Sequence, residues 1–216
     1  MSYGSQSDNH SGVNIAGLVL AGGEGRRMGG DKPFREIAGR SLISLAIETA
    51  QRQCGHVMIS SNQSPDTFAG FDIPVVADAP VPGQGPLGGI LGGLTVMSDA
   101  VDWLVTFPVD CPVVPDDMAQ ELIAAAREAG SKAAFVRHGE RDHYLSSAWH
   151  RDCAPVIAEL LSNEQYRVRG PLMAVDAIAV PFAIDPDQPT LFANVNTGDD
   201  LASLAMMLSK DDLAGR

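Results

Sequence analysis

Between residues 20 and 32 the chain reads Leu20-Ala-Gly-Gly-Glu-Gly-Arg-Arg-Met-Gly-Gly-Asp-Lys32, with five glycines and three basic residues in thirteen positions. Glycine lets a backbone turn sharply and aim several N–H groups at one anion. Arg26, Arg27 and Lys32 add mobile positive charge. The natural ligand for such a loop is phosphate. Across residues 21–40, five basic side chains stand against three acidic ones, a surplus of two positive charges in a chain whose formal net charge is −12. A positive island on an acidic protein focuses a polyanion. Two familiar phosphate loops do not fit. A Walker A loop needs Gly-Lys-Ser/Thr, but Gly30 is followed by Asp31 and Lys32-Pro33. A dinucleotide fingerprint begins at Gly23-x-Gly25, then meets Met28 where its third glycine belongs, and Ser60-Ser61-Asn62 offers no acid for a ribose.

A carboxylate that could face this loop is Asp110. It lies just past an apolar run, Asp102-Trp-Leu-Val-Thr-Phe107, and open α/β sheets bind ligands beyond the C-terminal ends of their strands. Magnesium is held by one or two carboxylates plus phosphates and water, so one well-placed acid suffices. The plainer alternative is that Asp110 caps a turn before Pro112. A second glycine-rich stretch, residues 83–93, has six glycines in eleven positions. Gly88, Gly89, Gly92 and Gly93 pair at i, i+4 and leave one bare helix face. That face serves either close packing on a sheet or backbone approach to a nucleobase or ribose.

The elements that must position these groups alternate between short apolar runs and amphipathic helices, the pattern of a parallel α/β sheet. Ile15 to Leu20 is apolar on both faces, as a central strand requires. Further strands are expected at 56–60, 73–77, 102–107, 132–137 and 144–149, with a polar connection at 137–143. Helices are expected at 41–53, 87–97, from Pro115 to Gly130, and at 152–162, with a weaker apolar segment at 173–182. The last helix starts at Thr197, with Asp200 at its capping-box position and Leu201, Leu204 and Leu208 as its buried stripe. The expected fold is a single-domain α/β, Rossmann-like three-layer sandwich with a mostly parallel sheet, spanning 14–210 after a disordered tail at 1–13.

Composition narrows the class. The chain has 216 residues, 45% of them hydrophobic, enough for one core without disulfides or structural metal. Twenty-seven acidic against fifteen basic residues argue against a general nucleic-acid binder. Cys54, Cys111 and Cys153 are odd in number and form no CxxC pair, which suits reduced cytoplasmic thiols. Residues 79–98 are uncharged, but six glycines and three prolines make them a poor membrane span. No signal-peptide core opens the chain.

LAGGxxxRMGxDK after a first apolar strand resembles the signature of the molybdenum cofactor guanylyltransferases (MobA), within the wider nucleotidyltransferases. Gly85-Pro-Leu-Gly-Gly89, Pro108-Val-Asp-Cys-Pro112, Arg141-Asp-His143 and Asn194-Val-Asn-Thr197 resemble further family motifs in order and spacing. The resemblance covers about 180 residues. It implies a nucleotide-diphospho-sugar-transferase-like fold and nucleotide binding by Leu20, Ala21, Gly22, Gly23, Lys32, Ser60, Asp78, Gly85 and Asp110. It makes Asp110 the Mg²⁺ ligand, completed by Asn194 or Asn196. Arg141, His143, Arg167, Arg169 and the two asparagines are expected on the acceptor side. Tyr144 stands where the family's loop continues with proline.

The implied reaction is transfer of GMP from GTP to the phosphate of molybdenum-molybdopterin, with release of pyrophosphate. Arg27 and Lys32 would neutralise the β,γ-phosphates, and Asp110 would hold Mg²⁺. The implied location is cytoplasmic, and the implied protein partners are a molybdoenzyme or cofactor chaperone met transiently. Alternatives are a molybdopterin cytidylyltransferase, a sugar-1-phosphate nucleotidyltransferase, or a nucleotide-sensing module without catalysis.

Overall fold

The computed structural model describes residues 14–22, 32–184 and 191–207. The expected N-terminal tail, Gly23, Arg27 and Leu208 lie outside these described residues. Strand β1 (Ile15–Leu20) is buried along its whole length. It is flanked by two parallel partners, β4 (His56–Ser60) and β6 (Trp103–Pro108). A strand so placed has no wet face, and its side chains divide with period two. Ile15 and Val19 join one core, and Ala16, Leu18 and Leu20 the other.

With β5 (Val75–Val76), β7 (Ala133–His138), β8 (Arg141–His150) and β9 (Ile178–Phe182), these strands form one sheet in the order β5-β4-β1-β6-β8-β7-β9. Only β8 runs against its neighbours, antiparallel to both β6 and β7. Helices α1 (Leu42–Gln53) and α3 (Met118–Glu128) pack on one face. Helices α2 (Gly85–Val96), α4 (Ala154–Ser162) and α5 (Arg169–Ala174) pack on the other. The expected three-layer α/β sandwich is present. A short hairpin, β2 (Glu36–Ile37) and β3 (Arg40–Ser41), meets α6 (Gly198–Met207) over a small separate core of Ile37, Leu42, Val195 and Leu204. No described helix is long and apolar enough to cross a membrane.

Several elements differ from expectation for identifiable reasons. The strand expected at 73–77 shrinks to two residues because the chain beyond it turns onto α2, where Ala79 N–H donates to the Gly88 carbonyl at 3.0 Å. Helix α3 starts at Met118, after a turn in which Met118 N–H donates to Pro115 O at 3.2 Å. Gly130, at φ +66°, ends the helical stretch as expected. The weak segment at 173–182 resolves into the end of α5 and strand β9.

The largest correction concerns residues 137–143. They are not a polar connection: Gly139, at φ +59°, turns the chain tightly, and β8 begins at Arg141, paired with His138. Arg141 and His143 therefore lie on a strand rather than a loop. Arg141 is exposed at the sheet's rim, whereas His143 is buried. Pairing then shifts from Val136↔His143 to Phe135↔Ser147, so Tyr144, Leu145 and Ser146 form a bulge. The buried Thr106 hydroxyl holds it, donating to Leu145 O at 2.6 Å and accepting from Ser147 N at 3.1 Å. Bulges re-aim side chains beside functional sites.

Candidate active site

Strands β1, β4, β5 and β6 end on one rim of the sheet, and the reversed β8 begins there. Asp110 sits two residues past β6. Its Oδ2 accepts from Lys32 Nζ at 3.0 Å, and the same ammonium donates to Asn196 Oδ1 at 3.0 Å. These groups come from three distant parts of the chain. Lys32 opens a 3₁₀ turn anchored by buried Pro33. Asp110 is fixed by its own carbonyl, which accepts from Val195 N at 2.7 Å, while Phe192 N–H donates to Val113 O at 2.9 Å. Together these bonds lay segment 191–197 beside 110–113. Asn196 is set by the entry to α6, where Asp200 Oδ2 accepts from Asn196 N at 2.9 Å and Thr197 N at 2.8 Å, and Asp200 N donates to Thr197 Oγ1 at 3.1 Å. The expected capping box thus forms with aspartate, and these N–H donors hold the Asp200 carboxyl below its usual range. The side chains of Lys32 and Asp110 are 17% and 26% exposed. That is open enough for a ligand yet shielded enough for charge to act strongly. Asn194 is half-buried in the same segment; of the two asparagines it is Asn196 that reaches Lys32.

Next along the rim lies the expected nucleotide side. Ala21 N–H donates to Ser60 O at 3.1 Å, and Val109 N–H donates to Leu20 O at 3.3 Å, which ties the root of the first glycine loop to both neighbouring strand ends. Gly22 is exposed. Ser60 is 3% exposed, and its hydroxyl lies where a Cβ on Gly89 would stand. It packs under α2. The group that faces Asp78 is Asn62. Its Nδ2 donates to Asp78 Oδ2 at 2.8 Å, and its Oδ1 accepts from Asp78 N at 3.0 Å. Asp78 Oδ2 also accepts from the N–H groups of Gly83 at 3.1 Å and Gln84 at 3.0 Å. Asp78 therefore shapes the loop leading into α2, where Gly85 is exposed at φ +67°. The bare glycine face of α2 is a packing surface. Gly88, Gly89, Gly92 and Gly93 each leave room for atoms of β1, β4, β6 or residues 77–84.

The expected acceptor residues fall in two places. Arg141 is exposed at the start of β8, and His143 is 9% exposed. The His143 ring lies 5.5 Å from Phe192 and 6.4 Å from His138 between centroids. Arg167 and Arg169 line a cleft of about 600 Å³ together with Tyr166 and Met173. Asp142 relates the two places. Its Oδ1 accepts from Arg137 Nε at 2.6 Å and its Oδ2 from Tyr144 Oη at 2.9 Å. The Arg137 bond, the Tyr144 hydroxyl and the charge of Arg169 hold the Asp142 carboxyl below its usual range.

Burial, reinforced by Arg141 and His138, lowers the His143 pKa below its ordinary 6.5. The folded protein thus prefers neutral His143, whereas the unfolded chain protonates it near that ordinary value. Its contribution to stability is complete above about pH 6.5 and is lost as pH falls toward the lower, folded value. Between pH 7.5 and 5.5, His143→Gln is expected to lose melting temperature less steeply than wild type. Equal slopes would exclude His143 as a source of acid sensitivity.

A family model described as the MobA-like NTP transferase domain matches residues 17–178. The chain belongs to that family. Among curated MobA-like relatives, the molybdenum cofactor guanylyltransferase of Rhodopseudomonas palustris (strain BisB5) is 36% identical over 201 residues, covering 90% of this chain and 94% of its own. That of Cereibacter sphaeroides is 39% identical over 201 residues, covering 92% and 100%. The crystal structure of molybdopterin-guanine dinucleotide biosynthesis protein A from Archaeoglobus fulgidus shares the fold, with a TM-score of 0.73 at 20% identity over 90% of this chain and 99% of that one. The MobA-like match runs from β1 to the first residue of β9. Lys32, Asp78 and Asp110 fall inside it, and Asn196 lies beyond it.

Proposed function

We propose that this protein transfers GMP from GTP to the terminal phosphate of the molybdenum-molybdopterin cofactor, forming molybdopterin guanine dinucleotide and pyrophosphate. The observation that carries this reading is the meeting of Lys32 with Asp110 on the rim where β1 and β6 end, within a MobA-like domain. From Asp110 past β6 to Asp78 past β5, the rim crosses three strand spacings, about 14 Å. A nucleoside triphosphate laid along it would place its phosphates at Lys32 and its base at Asn62, Asp78 and the α2 loop. Gln84 Oε1 is buried there with no hydrogen-bond partner among the described residues. Guanine's N1–H and 2-amino group are donors of the kind such an acceptor lacks.

The attacking group is a phosphate monoester, already largely dianionic near neutral pH, so no general base is needed. Its oxygen bonds to the α-phosphorus as the bond from that phosphorus to the bridging oxygen of the β-phosphate breaks, and pyrophosphate departs with the electron pair. Catalysis then rests on in-line placement and charge neutralisation. Lys32 serves the departing phosphates, with Arg27 assigned the same role from its motif. Arg141, Arg167 and Arg169 serve the incoming phosphate, and buried His143 keeps the start of β8 in place. The donor set fits magnesium: a carboxylate and a neutral amide oxygen, Asp110 Oδ2 and Asn196 Oδ1, already converge on one cationic nitrogen. When bound there, Mg²⁺ would supply Lewis-acid stabilisation of phosphate charge. The three free, buried cysteines suit the reducing cytoplasm, where the finished cofactor would pass to a molybdoenzyme or a carrier protein.

The deciding experiment follows pyrophosphate release from GTP, CTP, ATP and UTP, with molybdopterin or a sugar 1-phosphate as acceptor. Turnover is expected with GTP and molybdopterin. Turnover with CTP alone would overturn the guanine assignment. Turnover only with a sugar phosphate would overturn the acceptor, and binding of GTP without turnover would leave a sensing module.

A further inference from the structure

The oxygens assigned to a divalent ion are already joined by a cation of the chain itself. Lys32 Nζ lies 3.0 Å from both Asp110 Oδ2 and Asn196 Oδ1. A magnesium-sized ion bonds oxygen at about 2.0–2.1 Å, so an ion on these two atoms would occupy much the same space as the ammonium and repel it. The two cannot share the position. Which partner yields is set by how each is held. Asp110 is pinned through its carbonyl by Val195 N–H, and Asn196 by the Asp200 cap at the start of α6. Lys32 carries its charge on a flexible four-carbon stem. The lysine is the part that moves.

Resting on the metal assignment above, we infer that Lys32 is an exchangeable counter-cation that occupies the metal position between Asp110 and Asn196 until nucleotide phosphates draw it away. Metal alone must break two charge-assisted hydrogen bonds and cost the ammonium its contact with the Asp110 carboxylate. Metal arriving with a triphosphate breaks the same bonds but gives the ammonium new anionic partners. The two ligands are therefore coupled: each raises the affinity for the other by the same factor. The device keeps the site closed to free divalent ions and opens it to the metal–nucleotide pair. It also keeps Asp110 and Asn196 aligned between turnovers, because the ammonium neutralises the carboxylate in the meantime.

The test is Mn²⁺ binding, read by the loss of the free-ion EPR signal, with and without the α,β-methylene analogue of GTP, which cannot react. Wild type is expected to bind Mn²⁺ weakly alone and much more tightly with the analogue. Lys32→Met is expected to bind Mn²⁺ alone about tenfold or more tighter than wild type, the scale of a hydrogen bond to a charged group, and to show a smaller gain from the analogue. Lys32→Gln, which keeps a polar side chain without the charge, should shift in the same direction. Adding Asp110→Asn should abolish the gain in either background. Unchanged or weaker Mn²⁺ binding by both Lys32 variants would overturn the exchange while leaving the metal assignment standing. Failure of wild type to bind Mn²⁺ even with the analogue would overturn both.

Discussion

Asp110→Ala is expected to lower the rate of guanylyl transfer by about 10²–10³-fold, the cost of removing one preorganised electrostatic contact to a transition state, while GTP affinity changes far less. The asymmetry follows from the geometry. The end of the rim proposed for the base, built by Asn62, Asp78 and the loop into α2, is some three strands away from Asp110. The variant leaves that end intact, and Lys32 keeps its bond to Asn196 and its positive charge. What it loses is the carboxylate that neutralises the ammonium and that, under the proposed function, would hold a metal where charge develops on the departing phosphates. Calorimetric titration with GTP, set beside pre-steady-state turnover, separates the two effects. Turnover within a factor of a few of wild type would remove Asp110 from the mechanism. An equal collapse of binding and rate would make it a binding residue only.

Gly92→Ala is expected to be the most damaging small substitution in the scaffold. Its Cβ would collide with the carbonyl oxygen of Ala77, a backbone atom that no rotamer change can remove, and would press on Val76 Cγ1 at 3.2 Å. Overpacking of this kind costs about 1–3 kcal/mol, or several degrees of melting temperature in a domain of this size. Relief requires segment 77–79 to lift from α2, and Asp78 moves with it, so the Michaelis constant for GTP should rise as well. Gly170→Ala is the control. Gly170 lies within α5, where an added Cβ would meet, beyond its own helix turn, nothing nearer than Leu160 Cδ1 at 3.8 Å, and alanine there should be neutral or stabilising by up to about 1 kcal/mol. Equal melting temperatures for Gly92→Ala and wild type would mean that α2 and the strand beside it are less tightly joined than described.

What could be read from residues alone follows the range of the physics involved. That Lys32 and Asp110 would share one rim was legible because position after an apolar run already limits where each can lie. Thr197 and Asp200 were legible because a helix cap is a local device. Asn62 could be weighed as a stand-in for Ser60, but its pairing with Asp78 was not legible. An asparagine in a polar turn has many bland uses, and its pairing sixteen residues away depends on how β4 and β5 align. Its amide, two residues beyond Ser60, was the available signal. The burial of Ser60 was illegible for a related reason: no local pattern reveals that Gly89 of α2 leaves space for a hydroxyl from β4. The extent of β8 was hidden by its own rim residues, Arg141-Asp142-His143, whose unbroken polarity resembles a loop until the register with β7 is known. Tyr166 and Met173 gave no signal, since one aromatic and one thioether in a polar stretch mark a cleft only after α4 and α5 have packed.

The reversed course of β8 separates two kinds of adjustment. Groups assigned to the nucleotide follow the ends of forward strands, whereas Arg141 and His143 stand at the beginning of a backward one, directly after the turn at Gly139. Adding or deleting a residue in that turn would slide Arg141, proposed above for the acceptor's phosphate, along its own track and leave Lys32, Asp78 and Asp110 where they are. Under the proposed function, the acceptor side can thus be adjusted without disturbing the nucleotide side.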